Sequence, residues 1–66
     1  PVGGAATHVV VSAVNLRAAP SNAGARLGVL QGGQRVTVTA EDGGWMQVEE
    51  NGVVRGWVYG SFLQSL

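Results

Sequence analysis

The sequence predicts an all-β domain, built as a small, five-stranded, partly open barrel with a short 3₁₀ turn near the C-terminus. Its 66 residues are enough for one compact unit only. Short β-branched or alternating segments are separated by glycine-rich turns, and no long stretch repeats apolar residues at helical spacing. Because each strand is short, a bent barrel is favoured, since it encloses a core and limits exposed edges.

The N-terminal half of the sequence predicts a linker, two strands and a long loop. Residues 1–6 combine small residues, proline and glycine without periodicity, which is typical of a flexible linker, so the domain is expected to span 7–66. The β-branched segment His8 to Val14 indicates a first strand, followed by a loop that extends to Gly24. Residues 26–30 indicate a second strand, which ends at a glycine pair.

The C-terminal half predicts three strands and a final turn. Residues 34–40 alternate between apolar and polar side chains, as a half-buried strand requires. Residues 45–49 and 53–59 are the next two strands, and the Asn51-Gly52 pair between them is a strong hairpin signal. Gly60 to Leu63 has room for one turn of 3₁₀ helix.

A set of aliphatic side chains is spaced as inward-facing positions of successive strands. We expect these residues to form the core: Leu16, Leu27, Val29, Val36, Val38, Val48, Val58 and Leu63. Gly56 stands before two bulky residues in the fifth strand, where the missing side chain predicts a bulge or the close approach of a neighbouring strand.

Composition argues against several classes of function. Four arginines balance four carboxylates and lysine is absent, so no broad cationic field favours nucleic acid or an anionic membrane. The absence of cysteine excludes disulfides and thiolate chemistry. The longest apolar run, residues 9–11, is too short to span a bilayer, so no membrane insertion is expected. If the full protein is exported, its signal is expected to lie outside this sequence.

Four short motifs occur in the order in which a known family carries them. They are VNLRAAPS at residues 14–21, GVLQGGQRV at 28–36, GWMQV at 44–48 and GWV at 56–58. With the closing Phe62-Leu63 they resemble the bacterial SH3-type (SH3b, SH3_3-like) family from about Val9 to Leu63. The resemblance implies an SH3-like barrel. Ala19 departs from the family, which often carries glycine at that position.

The sequence offers little for catalysis or for a bound cofactor. His8, the one histidine, sits beside the predicted linker without a catalytic partner and is expected to be a solvated strand residue. The serines occur in no nucleophile-elbow pattern. The acidic pairs at residues 41–42 and 49–50 flank turns, where they face water, and form no calcium loop. We therefore expect no catalytic residue, no metal and no cofactor, and the chain is not expected to be an enzyme.

The aromatic residues all fall in the last third of the chain and indicate a binding surface. They are Trp45, Trp57, Tyr59 and Phe62. Exposed rings offer a large rigid contact surface, although in so small a domain the same rings would also serve to close the core. Both interpretations stay open at this point. Arg17 is similarly open, since its guanidinium suits either a ligand carboxylate or the carbonyl groups of its own loop.

The resemblance gives two of these rings a more specific interpretation. Trp45 and Phe62 look like the two aromatic positions that line the groove for proline-rich peptides in eukaryotic SH3 domains. The entry loop, Asn15 to Pro20, lacks the paired aromatic and acidic residues of that groove. Recognition of polyproline is therefore not expected here.

The resemblance implies a non-catalytic module that binds peptidoglycan peptides and tethers a larger protein to the cell wall. The candidate ligand-binding residues are Trp45, Phe62, Tyr59, Asn15, Arg17 and Trp57. The expected location is the periplasm, the cell envelope or the cell exterior, and the isolated domain is expected to be a monomer. The alternative is that the same surface docks a protein partner or another domain of the parent chain.

Overall fold

The computed structural model describes residues 6–66, which form seven strands and a 3₁₀ turn. In chain order these are β1 (His8–Val10), β2 (Val14–Arg17), β3 (Arg26–Leu30), β4 (Arg35–Asp42), β5 (Trp45–Glu50), β6 (Val53–Tyr59), the turn Gly60–Phe62 and β7 (Leu63–Ser65). The predicted linker, residues 1–6, lies outside the described residues except for Ala6.

All the strand pairs are antiparallel, in the order β3-β2-β6-β5-β4-β1-β7. Strand β4 pairs with two different strands. Its residues Arg35 and Val36 pair with β1, whereas the residues from Thr37 onward pair with β5. Strands β3 and β7 are the edges. The predicted all-β class, with a 3₁₀ turn near the C-terminus, is confirmed.

The segment predicted as one strand from His8 to Val14 is divided. Residues 11–13 are not in a strand, because the Val11 N–H donates to the carbonyl of Phe62 in the 3₁₀ turn (2.8 Å) and leaves the ladder with β4. Strand β7 was not predicted from the sequence, since it is short and exists through pairing with β1. The Asn51-Gly52 hairpin is as predicted, with positive φ at both residues.

In the described part of the chain the core contains seven buried side chains, all of them valine or leucine: Val10, Val14, Leu16, Leu30, Val36, Val48 and Val58. Val38 and Leu63 pack against this cluster. Six of the eight predicted core residues are therefore buried or packed on the core.

The prediction for the inward face of β3 was wrong. Leu27 and Val29 are 56% and 46% exposed, whereas Leu30 is 1% exposed. In the β2–β3 ladder Leu16 lies opposite Gly28 and Val14 lies opposite Leu30. Residues 28 and 30 thus share the inward face, and a shift by one residue turns a strand over.

Gly56 lies where β6 crosses closest to β2. Its φ of +142° belongs to a region that favours glycine, and a Cβ atom there would lie 2.7 Å from the carbonyl oxygen of Arg17. The β5–β6 register shifts at the same level, between Val48 and Glu49. The predicted close approach of a neighbouring strand is therefore present.

Candidate functional site

The aromatic residues of β5 and β6 lie on the outer face of the sheet. Side chains alternate along a strand, and directly opposite residues in an antiparallel ladder share a face. Val58 is buried, so its neighbours Trp57 and Tyr59 point outward. Trp45 lies opposite Tyr59 and shares that outer face.

None of the aromatic residues belongs to the core of the described chain. Trp45 and Trp57 are half-buried, whereas Tyr59 and Phe62 are 46% and 37% exposed. The structure thus decides between the two interpretations of these rings, as core or as surface. The rings form outer surface, and an aliphatic core closes the barrel without them.

Three of the rings line a groove with a volume of about 230 Å³. The groove is bounded by β2, the loop that follows β2, the start of β5 and the segment from Tyr59 to Phe62. Its aromatic and polar lining consists of Trp45, Tyr59, Phe62, Asn15, Arg17 and Asn22, and we call it the aromatic groove. Five of the six candidate residues from the sequence meet here, while Trp57 does not line the groove. Their role in binding stays a prediction.

One wall of the aromatic groove is a packed pair of rings. The ring centroids of Trp45 and Tyr59 are 5.6 Å apart and the ring planes meet at 73°, which is an edge-to-face arrangement. Gly44 lies beside this wall, since a Cβ atom at that position would be in ordinary van der Waals contact with Tyr59 Cε1, at 3.6 Å. The two side chains restrict each other, so the wall presents a preformed surface.

Two backbone hydrogen bonds hold the 3₁₀ turn beside that wall. The Gly60 N–H donates to the Gly44 carbonyl (2.8 Å), and the Phe62 carbonyl accepts from the Val11 N–H (2.8 Å). Gly60 lies so close to this neighbour that an added Cβ atom would be 3.0 Å from the Gly44 oxygen. The position of Phe62 in the groove is thus tied to two separate parts of the chain.

The opposite wall includes the loop of residues 18–25, which is closed by hydrogen bonds across its base. The Ala18 N–H donates to the Ala25 carbonyl (2.8 Å), and Arg17 Nη1 donates to the Gly24 carbonyl (2.9 Å). Ser21 makes a turn within the loop, accepting from Gly24 N–H at its carbonyl (3.1 Å) and from Ala23 N–H at its Oγ (3.2 Å). The loop is therefore held in a shape that presents Asn22 to the groove.

Arg17 combines the two roles that the sequence left open. Its bond to the Gly24 carbonyl is the predicted contact with its own loop, yet its side chain also lines the aromatic groove. Within residues 6–66, no carboxylate lines the groove. Aromatic surface, two side-chain amides and one cation are typical of a binding site.

Apart from Arg17, the charged side chains of the described residues do not line this groove. His8 is hydrogen-bonded to Thr7 Oγ1 (2.8 Å) on β1. Glu50 accepts from Gln34 and forms an ion pair with Arg55. In residues 6–66 no group of three or more histidine, cysteine, aspartate or glutamate side chains is arranged to hold a metal ion. Within the same range, no helix is long and apolar enough to cross a membrane.

Some of the residues that line the groove were not predicted from the sequence to lie there. Asn22 was placed in the loop beside the site but not among the candidate residues, because a turn asparagine has an ordinary local explanation. Val29 also lines the groove and had been assigned to the core. No local signal placed Val29 outside, because the face of β3 is set by its pairing with β2, in which Leu30 lies opposite Val14.

The described residues form a bent, seven-stranded antiparallel sheet with a lone 3₁₀ turn and a groove of aromatic and amide side chains. These features define a small SH3-like binding module. The sequence model of the bacterial SH3 domain family (SH3_3) matches residues 12–64. The chain belongs to the bacterial SH3 domain family, which confirms the resemblance seen in its motifs and makes it a non-catalytic binding domain. No curated protein and no solved structure gives a significant match.

Proposed function

We propose that this domain binds peptides of the bacterial cell wall in the aromatic groove and so holds a larger protein at the wall. The observation that carries the proposal is the convergence of Trp45, Tyr59 and Phe62 with the amides of Asn15 and Asn22 in one preformed groove. Wall peptides have small side chains and many amide groups. Rings that cover an extended chain and amides that bond to its backbone suit such a ligand.

The size of the groove indicates how tightly it binds. A volume of about 230 Å³ accommodates only a few residues of a peptide. So small a contact surface yields affinities in the roughly micromolar to millimolar range. Wall attachment through this domain therefore depends on the high local concentration of ligand that the wall provides.

This function places the domain in the periplasm, the cell envelope or the cell exterior, as a part of a larger protein. The isolated domain has no catalytic activity of its own in this proposal. Its neutral formal charge means that attachment to the wall rests on the groove rather than on general electrostatic attraction.

The test is a pull-down of the folded domain with purified, protein-free peptidoglycan sacculi. Trp45→Ala removes a groove ring, and we expect it to lower the affinity at least about fivefold, since a buried aromatic contact contributes more than 1 kcal/mol. Trp57→Phe is the control, because it changes a tryptophan on the same face outside the groove but keeps an aromatic ring opposite Arg17. We expect this control to bind nearly as well as the unchanged domain.

Circular dichroism and thermal unfolding must first show that both variants are folded. Absence of saturable binding to sacculi with several cross-bridge types would overturn the proposal and favour the docking of a protein partner. Equal loss of binding in the two tryptophan variants would remove the aromatic groove as the site.

A further inference from the structure

Among the described residues, one charged side chain lines the aromatic groove, that of Arg17, and none of their carboxylates lines it. The ion pair found in the same part of the chain joins Arg55 to Glu50, on the hairpin of β5 and β6. A half-buried guanidinium without an anionic partner favours a ligand that brings the anion with it.

The hydrogen bonding of Arg17 leaves most of its donors available for such a ligand. A guanidinium has five N–H donors in a planar fork. In residues 6–66 the side chain of Arg17 donates one bond, from Nη1 to the carbonyl of Gly24. This bond fixes the side chain at the base of the loop, so little entropy is lost when the remaining donors engage a carboxylate.

The charge distribution across the outer face also gives the ligand a direction. Asp42 lies opposite Trp45 in the β4–β5 ladder and therefore shares the outer face, although it does not line the groove. Strands β6 and β5 separate β4 from the strand of Arg17. A peptide carboxylate is thus attracted toward β2 and repelled from the β4 side.

We propose that Arg17 binds a carboxylate of the peptide ligand, while the adjoining part of the peptide lies across Trp45 and Tyr59. This inference rests on the proposed function, because it takes the wall peptide as the source of the carboxylate. Arg17 then has two contacts, one with the loop through Gly24 and one with the ligand. The groove selects peptides with a free carboxyl group over amidated ones.

The test compares N-acetyl-D-alanyl-D-alanine, which carries the carboxyl end of a wall stem peptide, with its C-terminal amide. Binding of each is followed by ¹⁵N–¹H NMR titration, observing the indole N–H of Trp45 and the Nε–H of Arg17. For the unchanged domain we expect the acid to bind at least about 10-fold more tightly than the amide, as a charge-assisted hydrogen bond would give.

Two variants separate a direct contact from a general effect of charge. Arg17→Gln removes the charge but keeps an N–H donor for the Gly24 carbonyl, and we expect it to bind the acid and the amide equally weakly. Arg26→Gln is the matched control, since Arg26 lies opposite Arg17 in the β2–β3 ladder and does not line the groove. This variant should keep the preference of the unchanged domain for the acid.

The inference is overturned if the unchanged domain binds acid and amide equally, if neither compound shifts the groove signals at millimolar concentration, or if Arg26→Gln loses the preference as fully as Arg17→Gln. The sacculus pull-down distinguishes these results from failure of the proposed function. Sacculus binding without a preference for the acid rejects the role of Arg17 alone. A preference for the acid without sacculus binding supports Arg17 and rejects the wall as the ligand.

Discussion

At the scale of single residues, Gly56 has the most demanding environment in the described chain. A Cβ atom at this position would lie 2.7 Å from the Arg17 carbonyl oxygen, 3.1 Å from Leu27 Cδ1 and 3.2 Å from Leu16 Cγ. The φ of +142° is itself costly for any residue with a side chain. Strands β6 and β2 approach so closely at this point that glycine is required. The same contact holds Arg17 of β2 beside the groove.

We expect Gly56→Val to lower the free energy of unfolding by about 3 kcal/mol or more, because backbone strain and a steric clash add. So large a loss is a substantial part of the stability expected for a domain of this size. Urea denaturation followed by tryptophan fluorescence measures it. Gly28→Val is the control, since no atom lies within 4 Å of the Cβ position at Gly28 and its φ is not positive. Comparable loss in the two variants would contradict this account.

At the scale of elements, β3 shows why a short strand is hard to orient from its sequence. Its residues, Arg-Leu-Gly-Val-Leu, give two apolar side chains on one face and one on the other if Gly28 is ignored. The structure places Gly28 inward, opposite Leu16, and leaves Leu30 to fill the core. The choice of face is made by pairing with β2, which local alternation does not contain.

A matched pair of substitutions tests this orientation. Leu30→Ala removes a side chain that is 1% exposed, and we expect it to lower the free energy of unfolding by about 2–4 kcal/mol. Leu27→Ala makes the same chemical change at a residue that is 56% exposed, and the expected loss is below about 1 kcal/mol. Equilibrium urea unfolding of both variants gives the comparison. The reverse order of losses would mean that β3 faces the other way.

The loop of residues 18–25 illustrates how hydrogen bonds across its base fix the shape of an element. Bonds from Arg17 and Ala18 to carbonyl groups near its end hold the loop against β2. Gly24 packs tightly on Ala19, with an added Cβ atom only 2.9 Å from the Ala19 nitrogen. A loop held in this way keeps Asn22 at the groove without a ligand, which favours binding by lowering the entropy lost on association.

At the scale of the whole molecule, the sequence was sufficient for the fold class, the family and most of the turns. Clear alternation in β4 and the Asn51-Gly52 hairpin are local signals, and the structure agrees with them. Strand β7 and the break at residues 11–13 depend on pairing between distant parts of the chain, so local patterns did not reveal them. The same limit applies to the site. The convergence of Asn15 with the rings of Trp45 and Phe62 follows from the topology.

The whole fold also explains why the rings are available for binding. Valine and leucine from β1 to β6 close the core, and Leu63 of β7 packs against it. The aromatic side chains are not needed there and form the outer face. Substitution of a groove ring by alanine thus leaves the core filled. For this reason we expect the Trp45→Ala variant to remain folded.

The measurement that tests the central claim most directly is an NMR titration of the ¹⁵N-labelled domain with soluble muropeptides released from sacculi. The account predicts saturable shifts of the Trp45 indole N–H and of the side-chain amides of Asn15 and Asn22. Shifts centred on the charged hairpin of Glu50 and Arg55, or no shifts at millimolar muropeptide, would contradict it.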